Sequence, residues 1–271
     1  MHSIFTRTWL YALAVVAALG AGWYALTAFA PVDTPAHNPV AGEATAPGKL
    51  ITPTAARGAV FQDLEPGLPA APKLHANHAT AVSVSPDGRL LAILTTGHNL
   101  HYEASGAISP ALSTEYVFLF DIEGAQPRQL QVLQIANTFH GIAWGLGSDR
   151  LYVSGGKDDL IAEFERHGSM FVKARAFALG HHEINGPLNV SGLGGPMASA
   201  LAVSPDGTRL LVSNMMNDSV SLVDVKSGRV VSERDLRPGK IDPSRSGQAG
   251  GSYPGSVAWV SNDRAYVASE R

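Results

Sequence analysis

The chain has 271 residues, a formal net charge of −3 and a pI near 6.3. This length suits one large domain or two small ones, and the charge gives no basic surface for nucleic acid or anionic lipid. Because the chain has no cysteine, thiolate metal sites, cysteine nucleophiles and disulfides are excluded, whereas the cellular compartment is left open.

The first predicted element is an apolar helix within residues 1–30, which is either a signal peptide or a transmembrane anchor. Trp9–Ala30 is a run of 22 apolar or small residues that follows a basic start. Its Ala-Phe-Ala ending fits a signal peptide, but 22 residues are also enough to span a hydrocarbon layer of about 30 Å. Both alternatives place the rest of the chain outside the cytoplasm, and an uncleaved segment would anchor it to the membrane through residues 9–30.

Residues 31–72 predict a Pro/Ala-rich linker. They contain eight of the 17 prolines of the chain. Such a composition buries too little apolar area to offset the entropy of ordering, so we expect an extended or disordered segment.

Internal repetition begins after the linker. Four similar phrases are "AVSVSPDGRLLAIL", "GIAWGLGSDRLYVS", "ALAVSPDGTRLLVS" and "SVAWVSNDRAYVAS". Their equivalent positions Val84, Trp144, Val203 and Trp259 are separated by 60, 59 and 56 residues. Each unit reads as strand, turn, strand, polar turn, strand, with apolar and polar residues alternating as in half-buried strands.

Repeated units of four short antiparallel strands are typical of a β-propeller. We therefore predict an all-β propeller of about three and a half blades in residues 73–271. The repeat units are longer than a usual blade of about 40–45 residues. The additional residues should lie in two long loops, Thr95–Tyr116 and Gly180–Met197. Because propellers use about four to eight blades, the chain is expected to be the N-terminal part of a longer protein.

The Ser-Pro-Asp-Gly phrases contain the acids Asp87 and Asp206, one in the first unit and one in the third. Proline fixes the first corner of a turn, aspartate bonds the backbone two residues on, and glycine accepts positive φ. We interpret both acids as turn residues and not as catalytic groups.

The segment Leu210–Val231, "LLVSNMMNDSVSLVDVKSGRVV", resembles the YVTN-type repeats of YncE-like β-propellers. "LVSN" stands at the YVTN tetrad, and "DSVSLVDVKSG" at the strand and turn that follow it. The resemblance covers about 190 of the 271 residues. It implies the propeller fold and is much less specific about activity.

A narrower resemblance, at "NTFHGIAW", "YVSGGKDD" and "DLRPGKIDP", is to exported bacterial proteins in which such a propeller precedes an alkaline-phosphatase-like phosphoesterase domain. This resemblance implies that the phosphatase residues lie outside the present sequence. We therefore assign no catalytic residue, and a phosphoesterase domain or another protein is the expected partner.

Polar residues follow the second strand of the second and third units, where propeller loops converge on one face. They are Asp158, Asp159, Asn214, Asn217 and Asp218. A ring of such side chains could bind a ligand or a cation, although turn chemistry between the strands is the favoured interpretation.

Histidines are the candidate metal ligands. His98 and His101 form an HxxH pair, and His181 and His182 are adjacent. Histidines with nearby carboxylates bind zinc, but these pairs lack the helical geometry of an HExxH site. No cofactor is otherwise indicated, and a divalent metal remains a hypothesis.

Two functions are consistent with this sequence. The first is an exported or membrane-anchored binding or scaffold module without catalytic residues. The alternative is a propeller hydrolase, a lactonase or phosphoesterase, that uses a divalent metal at the channel face. The propeller fold hosts both.

Overall fold

The computed structural model describes residues 43–44, 50–51, 62–76, 78–97, 99–181 and 197–271. The chain divides into two units, Met1–Gln62 and Asp63–Arg271. In the first unit, β1 (Glu43–Ala44) pairs antiparallel with β2 (Leu50–Ile51). The predicted apolar helix of residues 1–30 lies outside the described residues. Within the described ranges, no helix is both long and apolar enough to cross a membrane.

The second unit consists of antiparallel sheets whose strands follow in chain order. Blade 1 contains β3 (Ala79–Val84), β4 (Leu90–Thr95), β5 (Glu115–Asp121) and β6 (Arg128–Ile135). Blade 2 contains β7 (Ile142–Trp144), β8 (Arg150–Ser154), β9 (Leu160–His167) and β10 (Met170–Ala178). Blade 3 contains β11 (Ala198–Val203), β12 (Arg209–Asn214), β13 (Ser219–Asp224) and β14 (Arg229–Asp235).

A half-blade completes the unit, with β15 (Pro254–Ser261) paired to β16 (Arg264–Ser269). One short helix, α1 (Pro238–Ile241), lies between β14 and β15. The first strands lie side by side, with β3 against β7, β7 against β11 and β11 against β15. This arrangement confirms the prediction of an all-β propeller with about three and a half four-stranded blades.

The second and third strands of the three blades bury side chains on both faces, because successive side chains of a strand point in opposite directions. In β5, Tyr116, Phe118 and Phe120 lie on one face, whereas Val117 and Leu119 lie on the other. The second face packs against blade 2. A further cluster between blades 2 and 3 includes Tyr152, Ile161, Phe177, Leu210 and Val212.

The face of blade 1 that points away from blade 2 is covered by the start of the second unit. Leu64, Leu68 and Leu74 pack against the aromatic residues of β5. The packed unit thus begins at Asp63, ten residues before the predicted start of the propeller at residue 73. These three leucines bury enough apolar area to pack this short stretch against the blade, although its proline content had indicated a linker.

The antiparallel order places the connections at two ends of the sheets. The connections after the second and fourth strand of each blade lie at one end, here called the loop face. Those after the first and third strand lie at the other, here called the turn face. Both long connections predicted from the sequence, β4–β5 and β10–β11, begin and end at the loop face.

The acids of the Ser-Pro-Asp-Gly phrases are turn residues at the turn face. Asp206 Oδ1 accepts hydrogen bonds from Ser204 Oγ at 2.6 Å and from the backbone N–H of Thr208 at 3.0 Å. These bonds lower the pKa of Asp206 to about 2, since they stabilise its charged form. Asp87 makes the equivalent bond with Ser85 at 2.5 Å.

Two kinds of hydrogen bond join blade 1 to blade 2, and both recur between blade 3 and the half-blade. The indole N–H of Trp144 donates to the carbonyl of Ser83, and that of Trp259 donates to the carbonyl of Ala202, both at 3.1 Å. At the turn face, the backbone N–H groups of Asp87 and Asp206 donate to Ser148 Oγ and Asn262 Oδ1, respectively.

The interface between blades 2 and 3 is built differently. There the Arg175 guanidinium donates to the carbonyls of Val225 and Lys226 at 2.7 and 3.0 Å. Arg175 also pairs with Glu163, which is buried in β9. At the position equivalent to Trp144 and Trp259, blade 3 has Val203, which has no indole N–H to donate to the first strand of blade 2.

Candidate functional site

Three acids occupy the same position in three successive blades. The first residue of the second strand pairs with an acid of the third strand. This acid is Asp121 in blade 1, Glu165 in blade 2 and Asp224 in blade 3. Six residues before these partners stand Glu115, Asp159 and Asp218, respectively. All three acids lie at the loop face and are buried, with 6%, 1% and 3% of their surface exposed.

In blade 2, Asp159 holds the connection that leads from β10 to blade 3. Its Oδ2 accepts from the backbone N–H of His181 and its Oδ1 bonds the His181 ring at Nδ1, both at 2.6 Å. Asp159 adopts a left-handed conformation with φ of 53°, which aspartate tolerates better than most residues. The acid therefore closes the start of the long β10–β11 connection.

The other side of the His181 ring contacts the last strand of blade 3. Nε2 lies 3.0 Å from Glu233 Oε1 and 3.3 Å from Asn214 Nδ2. Burial alone would lower the pKa of His181, but the hydrogen bond and charge of Asp159 and the charge of Glu233 outweigh it, so that the pKa is raised. The His181 ring thus bridges blades 2 and 3 between two carboxylates.

Asn214 and Asn217 belong to the same cluster. Asn214 Nδ2 donates to the hydroxyls of Ser219 and Ser221 at 3.0 and 2.9 Å. Asn217 Nδ2 donates to Glu233 Oε1 at 3.2 Å, and Ser219 Oγ donates to the same oxygen at 2.7 Å. Asn214 is fully buried, so these groups hold one another in place.

In blade 3, Asp218 holds the β14–β15 connection in the way that Asp159 holds β10–β11. Its Oδ1 accepts from the backbone N–H of Tyr253 at 3.0 Å, and its Oδ2 accepts from Ser252 Oγ at 3.2 Å. Asp218 is also left-handed, with φ of 51°. The acids of blades 2 and 3 share conformation and partner type, a backbone N–H of the connection after the fourth strand.

In blade 1, Glu115 departs from this pattern. It is the first residue of β5. Its Oε2 accepts from Thr95 Oγ1 at 2.8 Å and from Asn99 Nδ2 at 2.7 Å. Neither donor belongs to the connection after the fourth strand. Among the described residues, Oε1 of Glu115 has no hydrogen-bond partner.

Glu115 lines an open cleft of about 470 Å³ at the loop face of blade 1. The wall is partly apolar and partly polar, and a lysine from blade 2 stands at it. Besides Glu115, the lining includes Asn99, Leu100, Ile108, Pro110, Asn137 and Lys157. Most of these residues come from the long β4–β5 connection, so this loop forms much of the cleft.

The predicted ring of polar residues is therefore divided among several contacts. Asp159, Asn214 and Asn217 join the His181 cluster, and Asp218 bonds the β14–β15 connection. Asp158 accepts from Asn137 Nδ2 through both carboxylate oxygens, at 2.8 and 2.9 Å. Asn137 lines the cleft, so Asp158 contacts one of the residues of the cleft wall.

The predicted metal ligands are only partly described. His98 and His182 lie outside the described residues. His101 is in the β4–β5 connection, where its backbone N–H and carbonyl bond Ser113 and Ser109. His181 has both ring nitrogens next to carboxylates. In the described part of the chain, no three histidine, aspartate or glutamate residues are grouped to hold a metal ion.

Sequence reasoning missed Glu115 and Glu233. A usable signal existed for Glu115, because an acid stands six residues before another acid in "EYVFLFD", "DLIAEFE" and "DSVSLVD". No such repeated pattern marks Glu233, because it joins the cluster through the pairing of β14 with β13, in which Glu233 lies opposite Ser221.

No family model and no curated protein matches the sequence. A solved structure of a protein from Lactobacillus plantarum is similar, with 13% identity over 72% of this chain and 50% of that one and a TM-score of 0.51. A periplasmic gluconolactonase from Pseudomonas aeruginosa has 17% identity over 73% and 64% of the two chains, with a TM-score of 0.45.

The β-propeller domain of Cps50 (Swd1) from Myceliophteria thermophila has 11% identity over 71% and 48% of the chains, with a TM-score of 0.42. The chain spans about half the length of several structures that it matches. At such identities the likeness concerns the fold alone. The repeated four-stranded sheets themselves make the chain a β-propeller module.

Proposed function

We propose that the chain is a non-catalytic binding module and that its ligand site is the cleft on the loop face of blade 1. One observation carries the proposal. Of three equivalent buried acids, two bond their own connections, whereas Glu115 keeps a carboxylate oxygen without a partner among the described residues, in an open cleft. Concave sites with a few placed polar groups among apolar walls are the usual form of small-molecule sites.

The finer assignment rests on sequence. The "LVSN" and "DSVSLVDVKSG" phrases support a YVTN-type, YncE-like propeller. The apolar run at residues 9–30 supports export or anchoring at the inner membrane, and hence a periplasmic location. A phosphoesterase domain is the proposed partner, because of the narrower resemblance at "NTFHGIAW", "YVSGGKDD" and "DLRPGKIDP". Nucleic acid is not a proposed partner, because the net charge of the chain is −3.

The experiment combines a binding assay with a turnover assay on the full chain. Ligand-observed NMR would be run with a fixed panel of n-butylammonium, n-butyrate, n-butanol, glucose and inorganic phosphate. We expect at least one probe to bind and to remain chemically unchanged. Binding should be lost in Ile108→Trp, which fills the cleft from an exposed loop position, and kept in Met170→Trp, which adds the same bulk on β10 of blade 2.

Turnover is measured with lactones and phosphate esters, with added Zn²⁺ or with EDTA. Hydrolysis that EDTA abolishes would overturn the non-catalytic assignment and favour the metal-dependent hydrolase. A panel in which no probe responds to Ile108→Trp would overturn the assignment of the cleft as the ligand site.

A further inference from the structure

We propose that the cleft binds a primary ammonium group, with Glu115 as its counter-ion. This inference rests on the proposed function and names its ligand class. The ammonium group belongs either to a free alkylamine or to a lysine side chain of a peptide, since the two present the same chemistry to the cleft.

The first step is the reason that Glu115 is available. In blades 2 and 3 the equivalent acid is needed to hold the connection after the fourth strand. In blade 1 threonines hold that connection instead, because Thr138 Oγ1 donates to the Thr95 carbonyl and Thr96 Oγ1 donates to the Thr138 carbonyl at 2.9 Å. The backbone is thus secured without the carboxylate of Glu115.

The second step is the charge. The donors to Glu115, Thr95 Oγ1 and Asn99 Nδ2, are both neutral and both bind Oε2. In the part of the chain that the structure describes, no lysine, arginine or histidine forms a salt bridge with Glu115. Lys157 lines the same cleft but is not within salt-bridge distance of Glu115. A buried carboxylate that forms no ion pair is unfavourable, and pairing with a cation that also donates hydrogen bonds relieves this cost.

The third step is the rest of the lining. Asn137 donates both of its bonds from Nδ2 to Asp158, which leaves its amide oxygen as the group that it offers to a ligand. Acceptors at Glu115 and Asn137 suit the three N–H donors of an ammonium group. Leu100, Ile108 and Pro110 provide apolar surface for the alkyl chain that bears it.

The test is titration calorimetry of the full chain with n-butylammonium, n-butanol and Nα-acetyl-lysine methylamide. We expect both ammonium probes to bind and butanol, which has the same chain without the charge, to bind at least tenfold more weakly. A free-amine ligand is indicated if butylammonium binds more tightly, and a peptide lysine if the lysine derivative does.

Glu115→Gln should weaken binding of the ammonium probes at least tenfold, because the amide keeps the size and the acceptor for Thr95 but loses the charge. Glu123→Gln is the matched control. It removes the same charge at an exposed position, where Glu123 pairs with Arg89, and should leave the dissociation constant within twofold. If Glu115→Gln does not fold, Ile108→Trp provides the blocked cleft instead.

Equal binding of butylammonium and butanol, or unchanged binding in Glu115→Gln, overturns the inference. If butyrate or glucose binds in a manner that Ile108→Trp abolishes while ammonium probes do not bind, the ligand class is wrong but the cleft remains a binding site. If no probe responds to Ile108→Trp, both the ligand class and the proposed site are wrong.

Discussion

Blade 1 and blade 2 place a buried acid at the same position and use it differently. Asp159 has two bonds to His181, one of them to the backbone, and so fixes the chain that leads to the next blade. Glu115 bonds a threonine and an asparagine and faces open space. The role of the acid thus depends on the connection after the fourth strand. In blades 2 and 3 a backbone N–H of that connection donates to the acid, whereas in blade 1 Thr138 of the connection bonds the Thr95 carbonyl instead of Glu115.

The largest effect is expected for Asp159→Asn. The change leaves the buried His181 imidazolium with only Glu233 as a counter-ion, and removal of one partner of a buried pair costs about 3 kcal/mol. The free energy of unfolding would be measured by urea denaturation. Asp158→Asn is the control, since Asp158 bonds only Asn137 among the described side chains, and it should cost less than about 1 kcal/mol. Equal losses would contradict a special role for Asp159.

A smaller loss is expected for Asp218→Asn. Asp218 accepts from a backbone N–H and a hydroxyl but has no histidine beside it among the described residues. Hydrogen bonds to a charged group contribute about 2 kcal/mol, and asparagine tolerates the left-handed backbone. The same urea experiment gives the value. A loss that exceeds that of Asp159→Asn would mean that the charge on His181 contributes nothing to the difference between the two blades.

The histidine of blade 2 adds a pH dependence that blade 3 lacks. Because the pKa of His181 is raised in the folded state, its contribution is fully present below the unfolded pKa of about 6.5 and is lost as pH rises through the folded pKa. The measured quantity is the free energy of unfolding of the wild type minus that of His181→Gln. We expect this difference to fall above pH 6.5 by at most about 1.4 kcal/mol per pH unit. A difference that grows with pH would contradict the protonated bridge.

The smallest effect is expected for Glu115→Gln. Glutamine retains an acceptor for Thr95 and Asn99 and removes a buried charge that has no cationic partner among the described residues, so the free energy of unfolding should change by less than about 1 kcal/mol. Chemical denaturation of this variant beside Asp159→Asn tests the comparison directly. If both variants lose equal stability, Glu115 is a structural acid like the other two.

Much of the fold could be predicted from short-range signals. The Ser-Pro-Asp-Gly turns fix where two strands meet, and the structure places Asp87 and Asp206 in hydrogen bonds within those turns. The repeat intervals predicted the blades, and the two long connections lie where the excess length required them. These features depend on neighbouring residues, which the sequence displays directly.

The site was less predictable, because its partners are distant in sequence. Asp159 and Asn214 were predicted as loop-face residues, but their common partner His181 was predicted only as a metal ligand. Glu233 joins them through strand pairing, and Leu64 and Leu68 reach blade 1 from a stretch whose composition indicated a linker. Such contacts depend on tertiary packing, which local patterns do not specify.

The tryptophan bonds of Trp144 and Trp259 distinguish two kinds of interface between neighbouring blades. They join blade 1 to blade 2 and blade 3 to the half-blade, whereas Arg175 serves the interface between them. The spacing agrees, since 119 residues separate Ser85 from Ser204 and 115 separate Trp144 from Trp259. Neighbouring blades are therefore joined in two alternating ways, and the interface between blades 2 and 3 differs in its bonds from the interfaces on either side of it.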